Sequence, residues 1–179
     1  MQVSFTGTRK YSLNGDNIDK LKMVAYTMMG RQDINILCFG GAEGVDTDML
    51  CYCGRLKNHL LPRTLKVILP DTIEQVTEFA RDSIEKYADE VIELGNKITR
   101  DDGYNSYRLR NTELVLDADI LWAFPKKGNY PRSGTWMTVN IAKNFNKSSK
   151  HQIAINIREL DYVRWIVGEV EVENIKELL

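Results

Sequence analysis

Short apolar, β-rich runs at residues 34–39, 65–69 and 119–124 alternate with longer stretches of helical hydrophobic period. This alternation predicts an α/β fold with a mostly parallel sheet. The run Asp119 to Phe124 is apolar at almost every position, as a strand covered on both faces requires. Gly, Pro and Asp residues punctuate the runs, and no repeat, low-complexity tract or linker divides the chain. Its 179 residues are read as a single domain, with a core over about 3–157 and a C-terminal extension over about 158–179.

Each element has its own signal. Val3 to Phe5 starts a first strand. A helix is expected over Asp16 to Met29, where Ile18, Leu21, Val24, Ala25 and Met28 share one face and Asn14 or Asp16 can cap the start. Ile34 to Phe39 is the second strand, and Val45 to Asn58 reads as helix. Leu65 to Leu69 is the third strand, stopped by Pro70 and Asp71, and a helix follows from Asp71 or Thr72 to about Ala88. Val91 to Leu94 is a short strand, Tyr104 to Asp117 a helix, and Asp119 to Phe124 a buried strand ended by Pro125. Beyond the basic loop Lys126 to Arg132, Ser133 or Thr135 can cap a helix running to about Phe145. Ile153 to Ile157 is a further strand. The tail from Tyr162 to Val172 alternates partly, with Gly168 and Glu169 at a turn and a terminal helix over Glu173 to Leu179.

Composition narrows the function classes. Hydrophobic residues at 43% and charged residues at 27% are ordinary for a globular chain. A net charge of −1 supplies no basic surplus for holding nucleic acid through its phosphates, so DNA is not an expected partner. No apolar stretch reaches spanning length, and the chain opens on a strand pattern rather than a charged leader, so a cytoplasmic location without membrane attachment is expected. Cys51 and Cys53 are two apart on a helix and point to opposite sides, while Cys38 falls in a buried strand. His59 and His151 have no partners at ligand spacing, so no metal and no cofactor are expected.

The chemistry concentrates at three strand exits. Gly40, Gly41, Ala42, Glu43 and Gly44 link a strand to a helix, where backbone N–H groups can approach an anion and the helix start adds positive potential. Gly7, Thr8 and Arg9 follow the first strand and offer hydroxyls and a guanidinium to a phosphate or ribose. Ser133, Gly134 and Thr135 open a late helix. Parallel sheets bind ligands at the carboxyl ends of their strands, so these exits suggest one phosphate-rich ligand site. Asp46 reads either as a helix-terminus charge or, like Glu43, as an acceptor for ribose hydroxyls. Tyr107, Arg110 and Asn111 share a helix face able to stack a base, bind phosphate and read a polar edge. Trp122 and Trp165 read as core, and Trp136 as a pocket wall.

In this order, Thr6 to Arg9, Gly40 to Asp46, Arg110 and Asn111, Ala123 to Pro125, and Ser133 to Thr135 resemble the SLOG superfamily of Rossmann-like proteins. That superfamily includes the Lonely Guy phosphoribohydrolases, the DNA-processing protein A family and the small YspA/YpsA-like proteins, which this chain is most similar to. The resemblance spans about Val3 to Phe145 and implies a three-layer fold with a nucleotide or nucleotide-derived ligand across the strand ends. It implies that the glycine loop, Arg110 and the Gly134–Thr135 helix start hold the ligand. Where the Lonely Guy pattern carries its glutamate this chain has Thr138, and the loop before Gly134 is longer and lacks the double glycine. The expected function is therefore nucleotide binding, as a sensor, sequestering protein or regulatory module. An N-glycosidase relying on Glu43 or Asp46, or on Asp48, is the alternative, and a DNA-binding role is a second alternative. Homo-oligomerisation is left open.

Overall fold

The computed structural model describes residues 1–9, 15–57, 59–60, 62–96, 103–126, 133–159, 162–167 and 170–173. The strands are β1 (Gln2–Gly7), β2 (Ile36–Phe39), β3 (Thr64–Leu69), β4 (Glu90–Glu93), β5 (Ile120–Phe124), β6 (Ala154–Glu159), β7 (Tyr162–Val167) and β8 (Val170–Glu173). The helices are α1 (Gly15–Gly30), α2 (Val45–Leu56), α3 (Glu78–Tyr87), α4 (Gly103–Leu116) and α5 (Gly134–Ser148). One sheet carries the strands in the order β4-β3-β2-β1-β5-β6-β7-β8, parallel from β4 through β6, with β7 and β8 added antiparallel. This is the α/β fold with a mostly parallel sheet that the alternation predicts.

Side-chain alternation along β1 builds both faces. Val3 and Phe5 point into the larger core with Leu21, Val24 and Met28 of α1 and Met49 of α2, and Phe5 stacks on Phe39 of β2 at 5.3 Å. Ser4 and Thr6 point to the other layer, where Ser4 Oγ donates to the Leu114 carbonyl of α4 at 2.6 Å and Thr6 Oγ1 lies 3.3 Å from Thr138 Oγ1 of α5. Buried hydroxyls on an apolar sheet are tolerable because each has such a partner. Along β5, Ile120, Trp122 and Phe124 join the first core, and Leu121 and Ala123 join a second one with Val139 and Ala142 of α5. α2 packs on α1 and α3 over one face, and α4 packs on α5 over the other. The result is three layers, held by apolar burial on both sides of β1 and β5.

One expectation is corrected. The helix expected from Asp71 or Thr72 to Ala88 is broken: a 3-10 turn covers Ile73–Gln75, Val76 and Thr77 are extended, and α3 begins at Glu78. β-branched residues at Thr72, Ile73, Val76 and Thr77 weaken helix locally, and the Ile73 N–H is drawn instead to Glu93 Oε1 at 2.8 Å. The tail over 162–173 is sheet: Trp165 of β7 packs edge-on against Trp122 at 5.9 Å, so both tryptophans are core as expected. β4 is an edge strand with all four residues exposed, and Glu90 and Glu93 at its ends keep it from templating another chain. The Asn14 cap, residues 127–132 of the basic loop, the turn at Gly168 and Glu169, and the helix expected beyond Glu173 lie outside the described residues. Among the described residues no helix is long and apolar enough to cross a membrane.

Candidate functional site

The chain leaves β1 towards α1 and β2 on one side, and leaves β5 towards α5 and β6 on the other, so the carboxyl ends of β1 and β5 flank a topological switch point. Loops diverge there and a crevice opens. It is a cleft with a main chamber of about 540 Å³, inside the range typical of small-molecule sites. Thr8 and Arg9 line it from β1, Asn111 from α4, Lys126 from beyond β5, and Gly134 and Thr135 from the start of α5. A second chamber of about 100 Å³ adjoins it, with Arg9, Ala42 and Tyr107 lining both.

The glycine loop is shaped by its neighbours. A Cβ on Gly40 would lie 1.8 Å from Arg110 Nη1, so only glycine lets that guanidinium reach the strand end. Gly41 has φ 65° and Gly44 φ 97°, conformations that side chains resist, and Gly44 lies against the Arg9 backbone, joining two of the three strand exits. Beneath the loop Arg110 and Asp46 form a buried ion pair at 3.5 Å, the two side chains 8% and 5% exposed. Arg110 Nη1 also donates to the Gly40 carbonyl, and the Ala42 N–H donates to Asp46 Oδ2 at 3.4 Å. Burial pushes the Asp46 carboxyl up to about 6, against the opposing pull of Arg110 and of backbone N–H groups at Ala42, Gly40 and Gly7. Burial likewise lowers the Arg110 pKa, opposed by Asp46.

These contacts give two of the expected site residues a structural duty as well. Arg110 lines the cleft, yet its Nη1 is taken up by Gly40 and Asp46, so it braces the loop from below. Asp46 is turned to Arg110 and Ala42; Gly44 occupies the N-cap of α2, which has no side-chain cap. Asp48 lies in the first turn of α2, and Glu43 is exposed on the wall of the smaller chamber.

The α5 side is equally ordered. Ser133 caps the helix, its Oγ accepting from the Trp136 N–H at 3.5 Å, as the sequence predicts. Asn111 Nδ2 donates to the Gly134 carbonyl at 3.4 Å and lies 3.6 Å from Met137 Sδ. That leaves Asn111 Oδ1 as an acceptor on a residue 2% exposed, buried and without a hydrogen-bond partner among the described residues. Among the described residues a Cβ on Gly134 would meet nothing within 4 Å, so no packing contact with them demands glycine there. Thr138 is fully buried, donates to the Gly134 carbonyl at 3.0 Å and lies against Thr6. Trp136 packs against the second core, and Met137 takes the cleft-lining place expected of it.

Sequence reasoning missed the segment Pro70 to Thr77, which walls the smaller chamber. The polar exit Pro70, Asp71 and Thr72 after a parallel strand was the available signal. Of the expected residues, Thr8, Arg9, Ala42, Asp46, Arg110, Asn111, Gly7, Ser133, Gly134 and Thr135 meet at the main chamber, and Gly40, Gly41 and Glu43 at the smaller one. Sheet order, crossovers and cleft position define the class: a Rossmann-like α/β protein. No protein-family model matches the chain, and no curated protein matches its sequence.

Proposed function

We propose that this chain binds a nucleotide or nucleotide-derived phosphate in the cleft and acts as a sensor, sequestering protein or regulatory module of the SLOG kind. The observation that carries the reading is the convergence, at one switch-point chamber, of Arg9, Lys126, the capped start of the 15-residue helix α5 and the open face of Gly134. Cationic side chains and first-turn amides together favour an anion there. The unpartnered Asn111 Oδ1 adds an acceptor for a ligand hydroxyl or amino group. Global charge and the modest cationic lining fit a small ligand better than a polynucleotide, and the same lining supports a monomeric ligand whatever the oligomeric state.

The hydrolase alternative gains nothing at Thr138, which is buried and hydrogen-bonded and brings no carboxylate to a developing oxocarbenium ion. The test is to denature the purified protein, identify released small molecules by mass spectrometry, and titrate adenosine monophosphate, ribose 5-phosphate and inorganic phosphate by calorimetry. A released nucleotide and saturable phosphate-ester binding are expected. No released ligand and no binding of any of the three would overturn the reading, and liberation of free base during incubation would replace the binder with an enzyme.

A further inference from the structure

Charge changes sign along the cleft. On the main side stand Arg9 and Lys126, with Arg110 already neutralised by Asp46. Past Arg9 and Tyr107 the smaller chamber is lined by Glu43 and Asp71, with Thr72 and Gln75 beside them. Carboxylates accept hydrogen bonds and cannot donate them while ionised, so the part of this chamber that carries Glu43 and Asp71 favours N–H donors over carbonyl oxygens, while Arg9, Gly40 and Gly41 also line the chamber. At about 100 Å³ it is also much the smaller of the two, suited to one planar group rather than a sugar phosphate.

Its wall is fixed before any ligand arrives. The 3-10 turn is tied to β4 by the Ile73 N–H bond to Glu93, and Arg81 Nη2 of α3 donates to the Glu74 carbonyl at 2.9 Å. Tyr107 stands where the chambers meet, its ring 5.8 Å from the Arg110 guanidinium, and offers a flat apolar surface at the junction. Resting on the nucleotide reading, we infer that the smaller chamber is the base end of the site and selects a base bearing an exocyclic amino group, such as adenine, over one presenting a carbonyl in its place. The ligand lies extended, with phosphate towards α5 and the amino group towards Glu43 and Asp71.

Calorimetric titration of wild type, Glu43→Gln and Asp71→Asn with adenosine monophosphate, inosine monophosphate and ribose 5-phosphate tests this. The two nucleotides differ in presenting an amino group or a carbonyl at the same ring position. Wild type is expected to bind the adenine nucleotide about ten-fold tighter, the scale of one hydrogen bond to a charged group. At least one carboxamide variant brings that ratio towards unity, while its ribose 5-phosphate affinity moves much less. Circular dichroism confirms that each variant is folded. Equal wild-type affinities for the two nucleotides, or a ratio unchanged in both variants, would overturn the chamber's role and leave the phosphate site standing. A parallel change in ribose 5-phosphate affinity would also overturn it, a fall placing the carboxylates on the ribose hydroxyls and a rise placing them beside the phosphate. Failure of wild type to bind any of the three would remove both readings together.

Discussion

Asp46 and Arg110 hold opposite charges out of water beneath the glycine loop, and the balance between burial and attraction sets how the fold responds to pH. Removing one member of such a pair strands the other, so Arg110→Ala would confound ligand loss with fold loss. Asp46 can be tested without that ambiguity. Its carboxyl moves from an ordinary 3.8 to about 6 in the folded chain, so the native state holds the proton more tightly than the unfolded state between those values. Stability falls with rising pH wherever the native state binds more protons. The Asp46 contribution is therefore full below about pH 4 and is lost as pH rises through about 6. Urea unfolding of wild type and Asp46→Asn across this window checks it: the stability of wild type relative to the variant is expected to fall as pH rises, then level off. A relative stability that climbs instead would mean that Arg110 outweighs burial.

Two glycine-bearing turns of the same site obey different constraints. Gly41 combines φ 65° with a neighbour, Leu69 Cδ2, that would stand 2.3 Å from an added Cβ. Gly41→Val therefore meets backbone strain and overpacking, each of order 1–3 kcal/mol, and loses stability along with any binding. Gly134 opens α5 with no atom of the described residues within 4 Å of an added Cβ, and helix propensity favours alanine over glycine. Gly134→Ala should keep or raise the thermal midpoint while its methyl group intrudes where phosphate approaches the helix start. Thermal unfolding beside titration of adenosine monophosphate separates the two variants. Undiminished affinity in Gly134→Ala would detach the α5 terminus from the ligand.

The whole molecule carries a net charge of −1, and among the described residues the cationic side chains lining the main chamber are Arg9, Lys126 and Arg110, the last paired with Asp46. Binding to single-stranded nucleic acid loses affinity with salt by about 0.7 log units per tenfold salt for each phosphate contact, and few contacts also mean weak binding. Fluorescence anisotropy with a labelled single-stranded oligonucleotide is expected to show weak binding that disappears at physiological salt. Tight binding under those conditions would move the partner from a small molecule to a polynucleotide. The fold itself is compatible with either partner, because an α/β scaffold positions a site without dictating its chemistry.

Much of the architecture was legible in the sequence. The run over residues 119–124 announces a doubly covered strand, the glycine loop announces a strand-to-helix turn, and Ser133 announces the start of α5, because each signal lies within a few neighbouring residues. The break at Val76 and Thr77 was less legible, since the bond that pins the turn comes from Glu93 on another strand. The bracing contact of Arg110 was hidden: its partner Gly40 is 70 residues away, and nothing in its own helix marks a guanidinium that also reaches a loop. Likewise Pro70 to Thr77 becomes a chamber wall because β3 lies beside β2 in the sheet, within reach of the glycine loop. The sequence by itself determined the elements and the polar strand exits, through hydrophobic period, capping and turn chemistry. Only the tertiary structure decided which exits meet and which charges cancel, because strand order and burial bring together groups whose separation along the chain carries no record of their contact.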